Sequence, residues 1–163
     1  MASLLHYIYV FVGYSNNGSL SSTERYSIDN NAWEGLPCMP NGPRYYHCAV
    51  PSAGSEIYIV GGLDTCSVQV FDTATITWKN ETHLHNMPEE RSYTAAIVRK
   101  KKYLVMIGGS DKYGAAPFAS CLIYDSSSNN WSSTPASMDM IQARNTHIAA
   151  VLDENIAVAG GME

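Results

Sequence analysis

Four short apolar runs punctuate this chain, and each stops at glycine: Ile8 to Val12, Ile57 to Val60, Tyr103 to Ile107 and Ile156 to Ala159. They are too short for helices and rich in β-branched and aromatic residues, so they predict strands buried on both faces. The last three end in a glycine pair, Gly61-Gly62, Gly108-Gly109 and Gly160-Gly161. In the first, Val12 stands in place of the first glycine, which predicts a weakened terminal unit.

The polar and aromatic positions between these runs repeat as well. An aromatic residue precedes a Trp by seven positions three times, as Tyr26/Trp33, Phe71/Trp78 and Tyr124/Trp131. Arg44, Arg91 and Arg144 follow those Trp residues by 11, 13 and 13 positions and precede the first glycine of the next pair by 17, 17 and 16. The glycine pairs therefore recur at intervals of 47 and 52 residues, a period that marks a repeat architecture.

Each period divides into four strands. A first strand follows the Arg (Tyr46 to Pro51, Thr94 to Arg99, Thr146 to Leu152), and the glycine-ended run is the second. A third covers Thr23 to Ser27, Val68 to Asp72 and Ser120 to Asp125, and the Trp segment is the fourth. The turns between third and fourth strands, Asp29 to Asn31, Thr73 to Thr75 and Ser126 to Asn130, are mostly small and polar, as tight turns require.

With its double glycine, its aromatic-x6-Trp pair and its Arg ahead of the next strand, the chain resembles the kelch-repeat family, whose copies are four-stranded blades of a β-propeller. Three copies in register cover almost the whole sequence. The resemblance implies an all-β fold of kelch-type β-propeller blades, with large aromatics wedged between blades and glycines where backbones pass closely.

Divided this way, the chain holds a partial blade over 1–43, whole blades over 44–90 and 91–143, and a partial blade over 144–163. It starts at a second strand and amounts to thirteen strands. Propellers commonly close with about four to eight blades, so this is an incomplete arc with bare blade faces and open strand edges. Two expectations follow: a piece of a longer protein, which is favoured, or self-association of two copies to close the propeller.

In an antiparallel meander, loops joining second to third strands share one face with loops joining successive blades. Here those loops vary in length, whereas the turns opposite are short and uniform, so the irregular face is the expected recognition surface. It carries Tyr14, Asn16, Asn17, Asp64, Asp111, Lys112, Tyr113 and Phe118, a mixture of aromatic and polar side chains suited to a binding patch. Arg44, Arg91 and Arg144 have two readings, as anchors of loop carbonyls or as partner contacts, and their regular spacing favours the first.

Charge narrows the partner class. A net charge of −5 and a pI near 5.4 argue against a protein dedicated to nucleic acid or an anionic membrane. No stretch approaches the roughly 18 apolar residues of a membrane helix, and the first apolar run has no basic residue ahead of it, unlike a secretory signal. Cys38, Cys48, Cys66 and Cys121 form no C-x-x-C pair, which suggests reduced thiols and a cytoplasmic setting. Arg99 to Lys102 is a basic run that falls in a strand turn and reads as solvated.

Catalytic readings find little support. His47 and His147 occupy the same place in their repeats, as structural residues of a repeated unit do, and Thr94 fills it in the middle copy. His83-Leu84-His85 has no neighbouring carboxylate or cysteine to complete a metal site. No catalytic residue, metal or cofactor is assigned. The resemblance implies a non-enzymatic module that binds a protein or peptide through loops of one face, and an adaptor fragment for ubiquitin ligation is within that class. The alternative is a propeller-type enzyme acting on a sugar, which would need convergent titratable groups at the channel mouth.

Overall fold

The computed structural model describes residues 2–4, 6–11, 13–16, 18–80, 85–111 and 116–163, with the side chains of Ser3 and Leu4 excepted. Its elements are β1 (Ala2–Leu4), β2 (Tyr7–Phe11), β3 (Tyr14–Ser15), β4 (Gly18–Ser19), β5 (Thr23–Ser27), β6 (Ala32–Leu36), β7 (Cys48–Pro51) and β8 (Glu56–Val60). They continue as β9 (Val68–Asp72), β10 (Thr77–Trp78), β11 (Ala95–Arg99), β12 (Tyr103–Ile107), β13 (Cys121–Asp125), β14 (Asn130–Ser133), β15 (Ile148–Leu152) and β16 (Asn155–Ala159). One 3₁₀ turn, Ala136–Met138, interrupts the strands.

These strands form three four-stranded antiparallel sheets, β1-β2-β5-β6, β7-β8-β9-β10 and β11-β12-β13-β14, followed by the pair β15-β16. The first strands β1, β7, β11 and β15 neighbour one another in turn, so they are the inner strands and the Trp strands form the outer rim. The arc does not close. Sequence and structure differ at the start of the chain, where Ala2–Leu4 pairs with β2 in the register Ala2↔Tyr9 and gives the first blade a fourth strand. That strand carries no Arg and no glycine pair, the features by which the other first strands are recognised.

The seven-residue interval from aromatic to Trp is a cross-strand pair. Tyr26 faces Trp33, Phe71 faces Trp78 and Tyr124 faces Trp131, with ring centroids 5.3, 5.1 and 5.2 Å apart. A hairpin with a short turn fixes that register, so the interval recurs.

Three apolar clusters lie between successive blades. Tyr9, Phe11, Leu36 and Met39 of the first blade meet Ile57, Ile59 and Phe71 of the second. Val50, Val60, Val68 and Met87 meet Leu104, Met106, Leu122, Tyr124 and Trp131. In the third, Ile97, Val105, Ile107 and Cys121 meet Ala149 and Val158 of the last pair. Trp78 and Trp131 also look back toward the preceding blade. Trp78 Nε1 donates to Pro37 O at 2.8 Å and Trp131 Nε1 to His85 O at 2.9 Å, while Trp33, with no blade packed on it, is 58% exposed.

The expectation that all glycine-ended strands are buried on both faces fails for β16, whose residues are mostly exposed. Among the described residues no third strand pairs with it, and Ile148, Leu152 and Ile156 face solvent.

Candidate binding face

The repeated Arg and the repeated glycine pair turn out to be two halves of one blade junction. Arg91 Nη1 donates to Gly108 O at 3.0 Å and Ser120 O at 2.7 Å, and Nη2 reaches Ser120 Oγ at 2.7 Å. Its Nε and Nη2 also bond the Glu89 carboxylate, so every N–H of this guanidinium is used. Its main-chain carbonyl accepts from Gly62 N of the preceding blade at 3.0 Å. One residue thus holds its own second-to-third-strand loop with its side chain and the previous blade with its backbone.

The same pattern recurs around Arg44, which bonds Gly61 O at 3.1 Å, Ser67 O at 2.9 Å and Ser67 Oγ. Arg144 bonds Gly160 O at 3.0 Å, and its carbonyl accepts from Gly109 N. Arg44 has no carboxylate among these partners, and burial pushes its pKa down to about 10. The glycines are needed because the chains approach so closely. A Cβ at Gly61, where φ is +65°, would stand 2.3 Å from Arg91 O, and one at Gly109, where φ is +91°, would stand 2.3 Å from Thr94 Cγ2.

This geometry divides the residues expected on the recognition face. Arg44 and Arg91 are buried anchors, and Arg91 has no donor left for a partner. Arg144 is half-buried and bonds as an anchor too. Tyr14, Asn16, Asp64 and Asp111 are exposed on the loops, with Asp64 at a turn position of φ 55°. Phe118 is half-buried, its ring 4.4 Å from the Arg91 guanidinium carbon, so it covers the anchor. Asn17, Lys112 and Tyr113 lie outside the described residues, as does His83.

The structure adds tyrosines that the repeat pattern did not single out. Tyr14 and Tyr45 have ring centroids 5.6 Å apart, Tyr45 and Tyr46 4.8 Å, and Tyr46 and Tyr93 4.0 Å, the last pair stacked at 25°. They form a continuous row across the first two blade junctions at the head of the inner strands. Tyr46 and Tyr93 both stand two places after an Arg, and that shared position was the available signal.

Both have positive φ, 59° and 55°, and so does Thr146 at 55°, the residue in that place in the next repeat. Left-handed backbone is costly for bulky side chains. It is offset here by hydrogen bonds from Tyr93 N to Tyr46 O and from Thr146 N to Tyr93 O, each 2.9 Å, which tie successive blades together. Burial, joined by the Tyr46 hydroxyl, raises the Tyr93 pKa to about 12, so Tyr93 is neutral at ordinary pH.

The remaining candidates have structural surroundings. His147 packs against the Gly108 and Gly161 backbones, and burial lowers its pKa. Burial also brings His47 down to about 4, with the Arg44 charge contributing. Arg99 of the basic run bonds Glu154 O at 2.7 Å and Asp153 O at 3.3 Å in the next blade's turn, and Lys102 pairs with Asp125 at 3.0 Å. All four cysteines are free thiols. Among the described residues no group of three His, Cys, Asp or Glu side chains is placed to hold a metal ion, and no helix is long and apolar enough to cross a membrane.

Comparison with known proteins agrees with this architecture. Residues 1–161 match the family model described as the KLHDC2/KLHL20/DRC7 Kelch-repeats domain. Kelch-like protein 15 of Danio rerio is 30% identical over 96% of this chain, which spans 28% of that protein. Kelch-like protein 33 of Homo sapiens is 29% identical over 79% of the chain and 24% of its own length. The Rab9 effector protein with kelch motifs of Mus musculus is 25% identical over 66% of the chain and 31% of its own length. The chain therefore spans less than a third of each of these relatives. With repeated Arg anchors, glycine junctions, cross-strand aromatic pairs and a family match over nearly its full length, the chain belongs to the kelch-repeat family.

Proposed function

We propose that this chain is a non-enzymatic interaction module that binds a protein or peptide partner through its loop face. The observation that carries this reading is the contrast between the two ends of the blades. One end has tight turns, whereas the other gathers the β3-β4 hairpin, the exposed Tyr14, Asn16, Asp64 and Asp111, and the tyrosine row. Aromatic side chains with few rotatable bonds, rimmed by polar groups, are favourable material for protein contacts.

Kelch-repeat relatives include an F-box/kelch-repeat protein of Arabidopsis thaliana, 31% identical over 71% of this chain. That likeness supports the finer proposal that the module selects substrates as part of a ubiquitin-ligase adaptor. The sugar-enzyme alternative is not favoured, because the two equivalent histidines are structural neighbours of the blade junctions. Display selection of random peptides against the purified chain tests the proposal. Enriched peptides whose binding falls in Tyr14→Ala or Tyr46→Ala would support it, and peptides indifferent to both substitutions would refute the face assignment.

A further inference from the structure

We infer that a cleft between the first two blades, floored by Gln69, is a recognition pocket for an asparagine or glutamine side chain of the partner, an assignment that rests on the loop-face reading and specifies its ligand. The cleft has a volume of about 370 Å³ and is lined by Pro40 and Asn41 of the interblade loop, by Gln69 near the start of β9, and by Trp78 and Asn80 where β10 ends. Those segments place it on the loop face. Asn41 and Asn80 are exposed at its rim, whereas Gln69 is 4% exposed at its floor.

Gln69 breaks the pattern of the blades. It stands two places before Phe71 on β9, so its side chain shares the face that packs on the first blade. Neither its Nε2 nor its Oε1 finds a hydrogen-bond partner in the protein. A buried amide without partners is destabilising, and packing does not call for one at this position. Gln69 pairs across the sheet with Ile59, and Leu122 with Met106; Ile59 and Met106 each lie three places before the second glycine of their pair, so Gln69 and Leu122 are equivalent. Leu122 is fully buried in the apolar cluster with Met87 and Trp131. A leucine thus serves the packing there, and the glutamine serves recognition.

A carboxamide presents a donor and an acceptor side by side, and a second carboxamide satisfies both at once. A carboxylate only accepts and would leave Oε1 unpaired, while an ammonium or guanidinium only donates and would leave Nε2 unpaired. Among the described residues that line the cleft Lys79 alone is charged, and its ammonium is paired with Glu56, which favours a neutral group. The volume suits one inserted side chain and lies at the lower end of ligand pockets. Trp78, held by its hydrogen bond to Pro37 O, supplies an apolar wall. A nucleobase edge would match the same amide, but the net charge of −5 argues against a nucleic acid strand.

A display library of random nonapeptides, selected against the full chain and then titrated as fluorescein-labelled synthetic peptides, tests this. The expected consensus contains asparagine or glutamine, and replacing that residue by its carboxylic acid or by methionine should weaken binding at least about tenfold. Gln69→Leu, which installs the residue of the third blade, should lose binding by a similar factor while its unfolding midpoint stays at or above that of the parent. A lower midpoint in Gln69→Leu would overturn the premise that the fold leaves this amide unused. A consensus without asparagine or glutamine, with binding that falls in Tyr14→Ala, would overturn the carboxamide assignment and leave the loop-face reading in place. Absence of any enriched peptide, or binding that survives both Gln69→Leu and Tyr14→Ala, would overturn both.

Discussion

Replacing Arg91 by lysine keeps the charge and most of the stem but removes the planar fork, which isolates the contribution of the junction geometry. The Arg91 side chain is 1% exposed and bonds two carbonyls, one hydroxyl and one carboxylate. A lysine ammonium has three donors on a point and cannot span Gly108 O, Ser120 O and Glu89 together. At least two buried acceptors then lose a charged donor, at roughly 1.5 to 3 kcal/mol each, so the expected loss is about 3 to 6 kcal/mol. For a domain of this size the thermal midpoint should fall by roughly 10 °C.

Arg144→Lys is the internal control. Arg144 occupies the same motif position but is half-buried and makes one such bond, so the loss there should stay near about 1 kcal/mol. Urea unfolding followed by tryptophan fluorescence measures both. Equal losses at the two positions, or a loss below about 1 kcal/mol for Arg91→Lys, would refute the reasoning, because the guanidinium would then be holding nothing that a point charge cannot hold.

Three further outcomes are expected. Gly109→Ala should cost about 3 kcal/mol or more, since its Cβ would meet Thr94 Cγ2 and Ser92 O at 2.3 and 2.6 Å. Gly160→Ala, with nothing within 4 Å, should cost only the left-handed penalty of about 1 to 2 kcal/mol, and chemical denaturation compares the two. The folded-state pKa of His47 lies near 4, below its ordinary 6.5, so the unfolded chain takes up a proton first as pH falls. Stability should therefore be full above pH 6.5 and decline toward pH 4, by about 3 kcal/mol from this residue. His47→Gln should flatten that decline in urea titrations at several pH values. Finally, the open edge and exposed Ile148, Leu152 and Ile156 should make the isolated chain self-associate. Light scattering should show this association reduced in the double variant Leu152→Lys, Ile156→Lys.

The blades were legible because their signals are local. The interval from Phe71 to Trp78 is a hairpin register, and the Gly-Gly pairs end strands that local composition already marks. The spacing of Arg44, Arg91 and Arg144 pointed to anchors, and the structure shows that their acceptors lie 16 to 29 residues downstream in the same blade. β1 escaped notice because its pairing with β2 leaves no motif. The tyrosine row was also not legible, because Tyr14 comes from an inserted hairpin of one blade while Tyr45, Tyr46 and Tyr93 come from the heads of the next two. Comparing repeats aligns Tyr45 with Ser92 and Asn145, which hides the row even as it reveals the anchors. Recognition residues differ between repeats for the same reason that junction residues agree: each blade solves the same packing problem, but a partner touches each blade differently.

Hydrogen–deuterium exchange of the chain with and without a peptide from the display selection tests the central claim most directly. Binding at the loop face predicts added protection in 13–21, 44–46, 62–67 and 91–93, with the turns at 52–55, 73–76 and 126–129 unchanged. Protection confined to those turns, or to the exposed β15-β16 pair, would contradict the account.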